Sequence, residues 1–170
     1  MKKLLIFALA ATLMWACSKQ TSYDSAKQMV EEASAKVNML TPQQLHDLMG
    51  SEETYTLIDV RQEIEHYYGF IPGSINIPRG SMEFKIADST YWDSEGLYMP
   101  AKDEKIVVYC KKGDRGILTA LTLMQLGYTN VWVLEGGWKN WEIKFPDIYE
   151  KNLEKLGGDH AAPSKGSGGC

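Results

Sequence analysis

The sequence predicts an α/β fold built on a mainly parallel sheet. Three observations carry that expectation. Lys105 to Tyr109 (Lys-Ile-Val-Val-Tyr) is a nearly continuous apolar run, the pattern of a strand covered on both faces. Strand-like runs alternate with segments of helical spacing. Gly and Pro fall at the joints between them.

Taken in order, Ser25 to Lys36 predicts a helix, with Met29, Val30, Ala33 and Val37 near helical spacing and Ser25 as N-cap. Its apolar stripe is narrow, which suits a helix on the edge of a domain. Val37 to Leu40 is a short apolar stretch. Thr41-Pro42 then opens a second helix, Thr41 capping and Pro42 at the first helical position, with Leu45, Leu48 and Met49 as its apolar face and Gly50 as its stop. Tyr55 to Val60 predicts a strand with a carboxylate, Asp59, near its end. Ile71-Pro72-Gly73 is a turn, and Ser74 to Ile77 a short strand closed by Pro78. Met82 to Ala87 predicts a short helix, and Asp93 to Lys102 a loop. After the Lys105–Tyr109 strand, Gly116 to Leu126 is helical, with Ile117, Ala120, Leu121 and Met124 on one side and Gly127 at the stop. Val131 to Leu134 is the last strand. Asp147 to Leu156 predicts a final helix, and residues 160–170, rich in Gly, Ser and Ala, a mobile tail.

Composition narrows the function classes. At 170 residues with 44% apolar content, the chain has enough for one core without disulfide staples. A net charge of −4 argues against a broad basic nucleic-acid surface. Three cysteines make no C-x-x-C pair, and His46, His66 and His160 have no metal-ligand spacing, so neither metal nor cofactor is expected.

The N-terminus reads as an address. Met1-Lys2-Lys3 is a basic head, and Leu4 to Trp15 is an apolar run broken only by Thr12, too short to span a bilayer comfortably. Leu13-Met14-Trp15-Ala16-Cys17 resembles the cleavage region of a bacterial lipoprotein signal. The resemblance implies cleavage before Cys17, acylation of Cys17, and a protein held at the cell envelope by a lipid anchor in the membrane. Two or more acyl chains anchor durably where one does not.

The candidate site is the turn from strand to helix at Cys110. In a parallel sheet, ligands sit beyond the carboxyl ends of the strands. The turn reads Cys110-Lys111-Lys112-Gly113-Asp114-Arg115-Gly116. Unpaired N–H groups at a helix start and a tight loop favour an anion. Gly113 and Gly116 relax the backbone limits of such a loop. Lys111, Lys112 and Arg115 add positive charge and Asp114 removes one, a field that favours a thiolate at Cys110. A cysteine at the edge of an apolar run, beside Lys-Lys-Gly-Asp-Arg, is placed for chemistry rather than for packing.

At this point the chain resembles the rhodanese family of sulfurtransferases. Leu57-Ile58-Asp59-Val60-Arg61, then Glu65, Gly69 and Ile71 to Pro78, is similar to the family's first signature. Ile106 to Cys110 with Gly113 and Arg115 is similar to its active-site loop. Leu126-Gly127-Tyr128, Asn130-Val131, Leu134-Glu135-Gly136-Gly137-Trp138 and Trp141 are similar to its closing segment. The organisation follows: residues 1–16 a lipoprotein signal, 17–36 a tether and short helix, 37–146 the rhodanese-like domain, 147–170 a helix and tail. The resemblance implies a central five-stranded parallel sheet wrapped by helices. It also implies a sulfane sulfur moved from a small anionic donor such as thiosulfate, through a Cys110 persulfide, to a thiol or cyanide acceptor. Cys110 would be the indispensable side chain, with Lys111, Lys112 and Arg115 attracting and orienting.

Related phosphatases carry a loop one residue longer, with room for a tetrahedral phosphate. Here four residues separate Cys110 from Arg115, which fits a persulfide sulfur better. The sequence departs from the family at Gly116, where a hydroxyl residue is common, and at Phe70, where His is common. Asp59 and Arg61 are expected to form a structural ion pair. A non-catalytic binding or sulfur-carrier module is the alternative reading. Cys170, at the end of the Gly/Ser-rich tail, is read as incidental.

Overall fold

The structure, a computed structural model, describes residues 22–151. The proposed signal, Cys17 and Cys170 lie outside the described residues. Elements follow in the order α1 (Ala26–Ser34), β1 (Asn38–Leu40), α2 (Pro42–Met49), β2 (Tyr55–Asp59), α3 (Glu63–Tyr67), β3 (Gly69–Phe70), β4 (Ser74–Asn76), a 3-10 turn (Arg79–Ser81), α4 (Met82–Lys85), α5 (Ser89–Ser94), β5 (Lys105–Tyr109), α6 (Asp114–Gln125), β6 (Val131–Leu134), α7 (Gly137–Lys144) and β7 (Glu150–Lys151). The main sheet has five strands in the order β1-β6-β5-β2-β4, and every pairing is parallel. All five carboxyl ends therefore share one edge.

The alternation of side chains across the sheet builds two apolar layers. Ile58, Val60, Ile106, Val108, Val131 and Val133 face α6, where Ile117, Ala120 and Leu123 meet them. Leu57, Val107, Tyr109 and Leu134 face the other way, onto Leu45 and Leu48 of α2 and Trp141 of α7. Four consecutive residues of β5, Ile106 to Tyr109, are buried. Each fully buried Val or Ile stabilises the fold by about 1.5–3 kcal/mol, so this strand anchors the loop that follows it.

The predicted caps form. Ser25 Oγ accepts from Gln28 N at 3.2 Å, and α1 packs on α6 through Ala33 and Val30. Thr41 Oγ1 accepts from Gln44 N while the Gln44 side chain accepts from Thr41 N, closing a capping box.

Three expectations are corrected. The helix expected from Gly116 starts at Asp114, because Gly113 can turn the chain and an acidic residue suits the positive end of a helix. The stretch 93–102 is not all loop: α5 runs to Ser94, capped by Asp88, whose side chain accepts from Thr90 N at 3.0 Å. The helix expected from Asp147 is absent over its described part. Glu150–Lys151 instead pairs antiparallel with Gly69–Phe70, a distant partner that no local pattern reveals.

Candidate functional site

β5 is the middle strand, so its carboxyl end lies at the centre of the edge where parallel sheets take ligands. Cys110 is the next residue. Gly113 turns the loop with a φ of +117°, a region that side chains rarely enter. Its N–H donates to Cys110 Sγ at 3.2 Å, and its carbonyl accepts from Ile117 N at 2.9 Å as α6 begins. The loop thus folds back onto the sulfur at the positive end of a 12-residue helix.

The far side of the loop is fixed by α7. Trp138 N donates to the Cys110 carbonyl at 2.8 Å, and Lys139 N to the Lys111 carbonyl at 3.1 Å. Two N–H groups that a helix start leaves unpaired are satisfied by the loop. The close approach needs glycine: a Cβ on Gly137 would overlap the Cys110 carbonyl oxygen and lie 3.0 Å from its carbon. Gly136 and Gly137 both have positive φ, 68° and 59°.

Arg115, in the first turn of α6, is committed to Glu65 on α3. Its Nη1 and Nη2 donate to Glu65 Oε2 and Oε1 at 2.6 and 2.9 Å. These bonds, against the opposing effect of burial, hold the Glu65 carboxyl down at about 2. The Arg115 guanidinium is pushed up, first by Glu65 and further by the neighbouring Cys110 sulfur. Lys111, Lys112 and Asp114 are exposed.

The sulfur is less open than the sequence implies. Cys110 is only 2% exposed and joins the apolar layer of Val60, Val108 and Ile117. The alternation of β5 carries on past its end, so residue 110 follows Ile106 and Val108 onto the α6 face, and the loop closes over it. Its polar neighbours are the Gly113 N–H and Arg115.

Gly116 is no loop residue. It is buried in α6, where a Cβ would stand 3.2 Å from Val133 Cγ1, so it serves the close packing of helix on strand.

A family model described as the Rhodanese-like domain matches residues 41–144, more than half of the chain. The chain belongs to the rhodanese-like domain family. The Drosophila melanogaster rhodanese domain-containing protein CG4456 is 33% identical over 109 residues, covering 62% of this chain and 97% of that protein. The human thiosulfate:glutathione sulfurtransferase is 32% identical over 91 residues, covering 50% of this chain and 76% of its own. Among solved structures, the human single-domain sulfurtransferase TSTD1 aligns with a TM-score of 0.60 at 26% identity, over 64% of this chain and 97% of that one.

The rhodanese fold also explains Asp59 and Arg61, which form a buried ion pair on the α7 face. Arg61 Nε reaches both Asp59 oxygens at 3.0 and 2.9 Å, and Nη2 reaches Oδ2 at 2.6 Å and the Gly69 carbonyl at 2.7 Å. The guanidinium also lies 4.7 Å from the Trp138 ring centroid. With Nε and Nη2 so engaged on the face opposite Cys110, Arg61 buttresses the segment that carries Trp138. Burial pushes Asp59 up, but hydrogen bonds from His66 and Arg61 outweigh it and hold the carboxyl below its usual range.

Two residues of this rhodanese site carried no role in the sequence reading. Glu65 stood in the signature, but its partner is 50 positions away. His66 has Nδ1 2.9 Å from Asp59 Oδ2 and stacks on Phe70 at 4.2 Å between centroids. No local pattern singles out Glu65, which shares its segment with Arg61 and Glu63.

Proposed function

We propose that this rhodanese-like protein is a sulfurtransferase acting through Cys110. The observation that carries the reading is the cradle of the sulfur: a lone cysteine at the sheet's carboxyl edge, accepting from Gly113 N–H, at the start of α6. The thiolate attacks the sulfane sulfur of a donor such as thiosulfate and becomes a persulfide. A preorganised N–H and the helix end stabilise the terminal sulfur anion. A thiol or cyanide acceptor then removes that sulfur and restores the thiolate, in covalent catalysis of the ping-pong kind. The 2% exposure of Cys110 selects small donors and acceptors. The sulfurtransferase names of relatives at modest identity support the same reading.

The test is initial-rate kinetics of thiocyanate formation with thiosulfate and cyanide both varied. Parallel double-reciprocal lines, lost in Cys110→Ser, are expected. Intersecting lines, or unchanged activity in Cys110→Ser, would refute the route. The near-complete burial of Cys110 is the observation that favours a non-catalytic binding module, and a Cys110 that takes up no sulfur from any sulfane donor would favour that module over both a transferase and a sulfur carrier.

The N-terminal motif supports a place at the cell envelope, with Cys17 acylated. Labelled palmitate incorporated by the full-length chain and lost in Cys17→Ala is the expected result; incorporation that survives the substitution contradicts it.

A further inference from the structure

Arg79 opens the 3-10 turn that follows β4, at the same sheet edge as Cys110. Its amide donates to the Val60 carbonyl at 3.2 Å, and the Val60 amide donates to the Tyr109 carbonyl at 2.8 Å. Arg79 therefore stands two strand spacings, about 10 Å, from the chain where Cys110 begins the loop. The turn also packs on α6, the helix that leaves the loop.

The side chain of Arg79 is unusual. Its Nε is buried and has no hydrogen-bond partner among the described residues. Nor does the guanidinium meet a carboxylate there. A buried donor left unpaired is costly, and a bound acceptor relieves that cost. The other arginines of this edge are engaged: Arg115 by Glu65 on both terminal nitrogens, Arg61 by Asp59 and Gly69. Lys111 and Lys112 stand exposed, where salt screens them.

We propose that Arg79 is the residue that binds the oxyanion end of the sulfur donor. The inference rests on the sulfur-transfer reading above and adds to it the residue that holds the donor, a sulfane sulfur carried on a sulfonate-type group, as in thiosulfate. A guanidinium presents its Nε and one terminal nitrogen as a fork to two oxygens of such a group. In the first half-reaction the Cys110 thiolate attacks the outer sulfur of thiosulfate. A new S–S bond forms the persulfide anion. The S–S bond of thiosulfate breaks with its electron pair leaving on sulfite. The step balances without an external oxidant or proton. Negative charge grows on the departing sulfite, so a fixed guanidinium there favours departure as well as binding.

Calorimetric titration of thiosulfate into the Cys110→Ser protein reads binding apart from transfer. Cys110→Ser/Arg79→Gln is expected to bind at least about tenfold more weakly, with Cys110→Ser/Arg79→Lys in between and all three folded by circular dichroism. Equal binding in the three, or no binding in the single variant, overturns the proposal. With Cys110 retained, Arg79→Gln is expected to raise the KM for thiosulfate while persulfide loading from hydrodisulfide (HSS⁻), which carries no oxyanion, stays within about twofold of the parent. An equal loss with both donors overturns the assignment in favour of a packing role. A parent protein that forms no persulfide refutes sulfur transfer itself, and the calorimetry still decides Arg79.

Discussion

Replacing Gly137 by Ala tests how the Cys110 loop is held. The φ of +59° costs an L-residue about 1–2 kcal/mol. The added Cβ would also overlap the Cys110 carbonyl oxygen and press to 3.1 Å from the Lys111 carbonyl carbon. Relieving that overlap breaks the bonds from Trp138 N and Lys139 N to the loop. At about 1 kcal/mol each, their loss brings the total to about 3–4 kcal/mol. Gly73→Ala is the built-in control. Gly73 has a similar φ of 76° but nothing within 4 Å of a new Cβ, so it pays the backbone cost alone. Urea denaturation of the two variants measures the difference directly, and the Cys110 alkylation rate reports whether the loop has shifted. Equal loss in both variants, with the alkylation rate unchanged, would refute the idea that α7 clamps the loop.

Glu65→Gln is expected to lose about 1–2 kcal/mol at neutral pH, reduced by partial exposure of the pair. The folded Glu65 pKa is depressed from 4.5 to about 2, so its contribution is complete above the unfolded value and vanishes as pH falls towards 2. The variant's stability should therefore fall less steeply than the parent's between those limits, as chemical denaturation across pH will read; identical slopes contradict the pairing. Trp141→Ala removes a fully buried indole whose Nε1 donates to the Ile148 carbonyl at 2.7 Å, and should cost about 3–5 kcal/mol by the same measurement. Arg61→Leu leaves Asp59 buried with His66 as its remaining side-chain partner, and about 3–5 kcal/mol should be lost. A loss below about 1 kcal/mol would show that the pair is dispensable.

Strong local patterns made much of the fold legible. The apolar run of β5, the capped helix at Thr41 and the sequence Cys-Lys-Lys-Gly-Asp-Arg each state their structure within a few residues. What escaped depended on length or distance. The helices Glu63–Tyr67 and Ser89–Ser94 are too short to show a helical period. β7 forms only because Gly69 and Phe70 lie beside it. The site shows the same divide. The loop and its cysteine were readable, and so was the Asp59–Arg61 pair, two residues apart. The capture of Arg115 by Glu65 was not, because the contact spans the sheet edge, and it turned an expected free cation into a neutralised one. The burial of Cys110 was missed for a different reason. The strand's alternation continues beyond its last ladder bond, which charged neighbours in the sequence disguise.

Everything functional turns on whether the sulfur of Cys110 accepts a second sulfur atom. Intact-protein and peptide mass spectrometry after incubation with thiosulfate reads that event most directly. A single added sulfur on the peptide bearing Cys110, released by cyanide and absent from Cys110→Ser, is the result expected. A parent protein that stays unmodified with thiosulfate and with hydrodisulfide, or an adduct that persists in Cys110→Ser, would contradict the account.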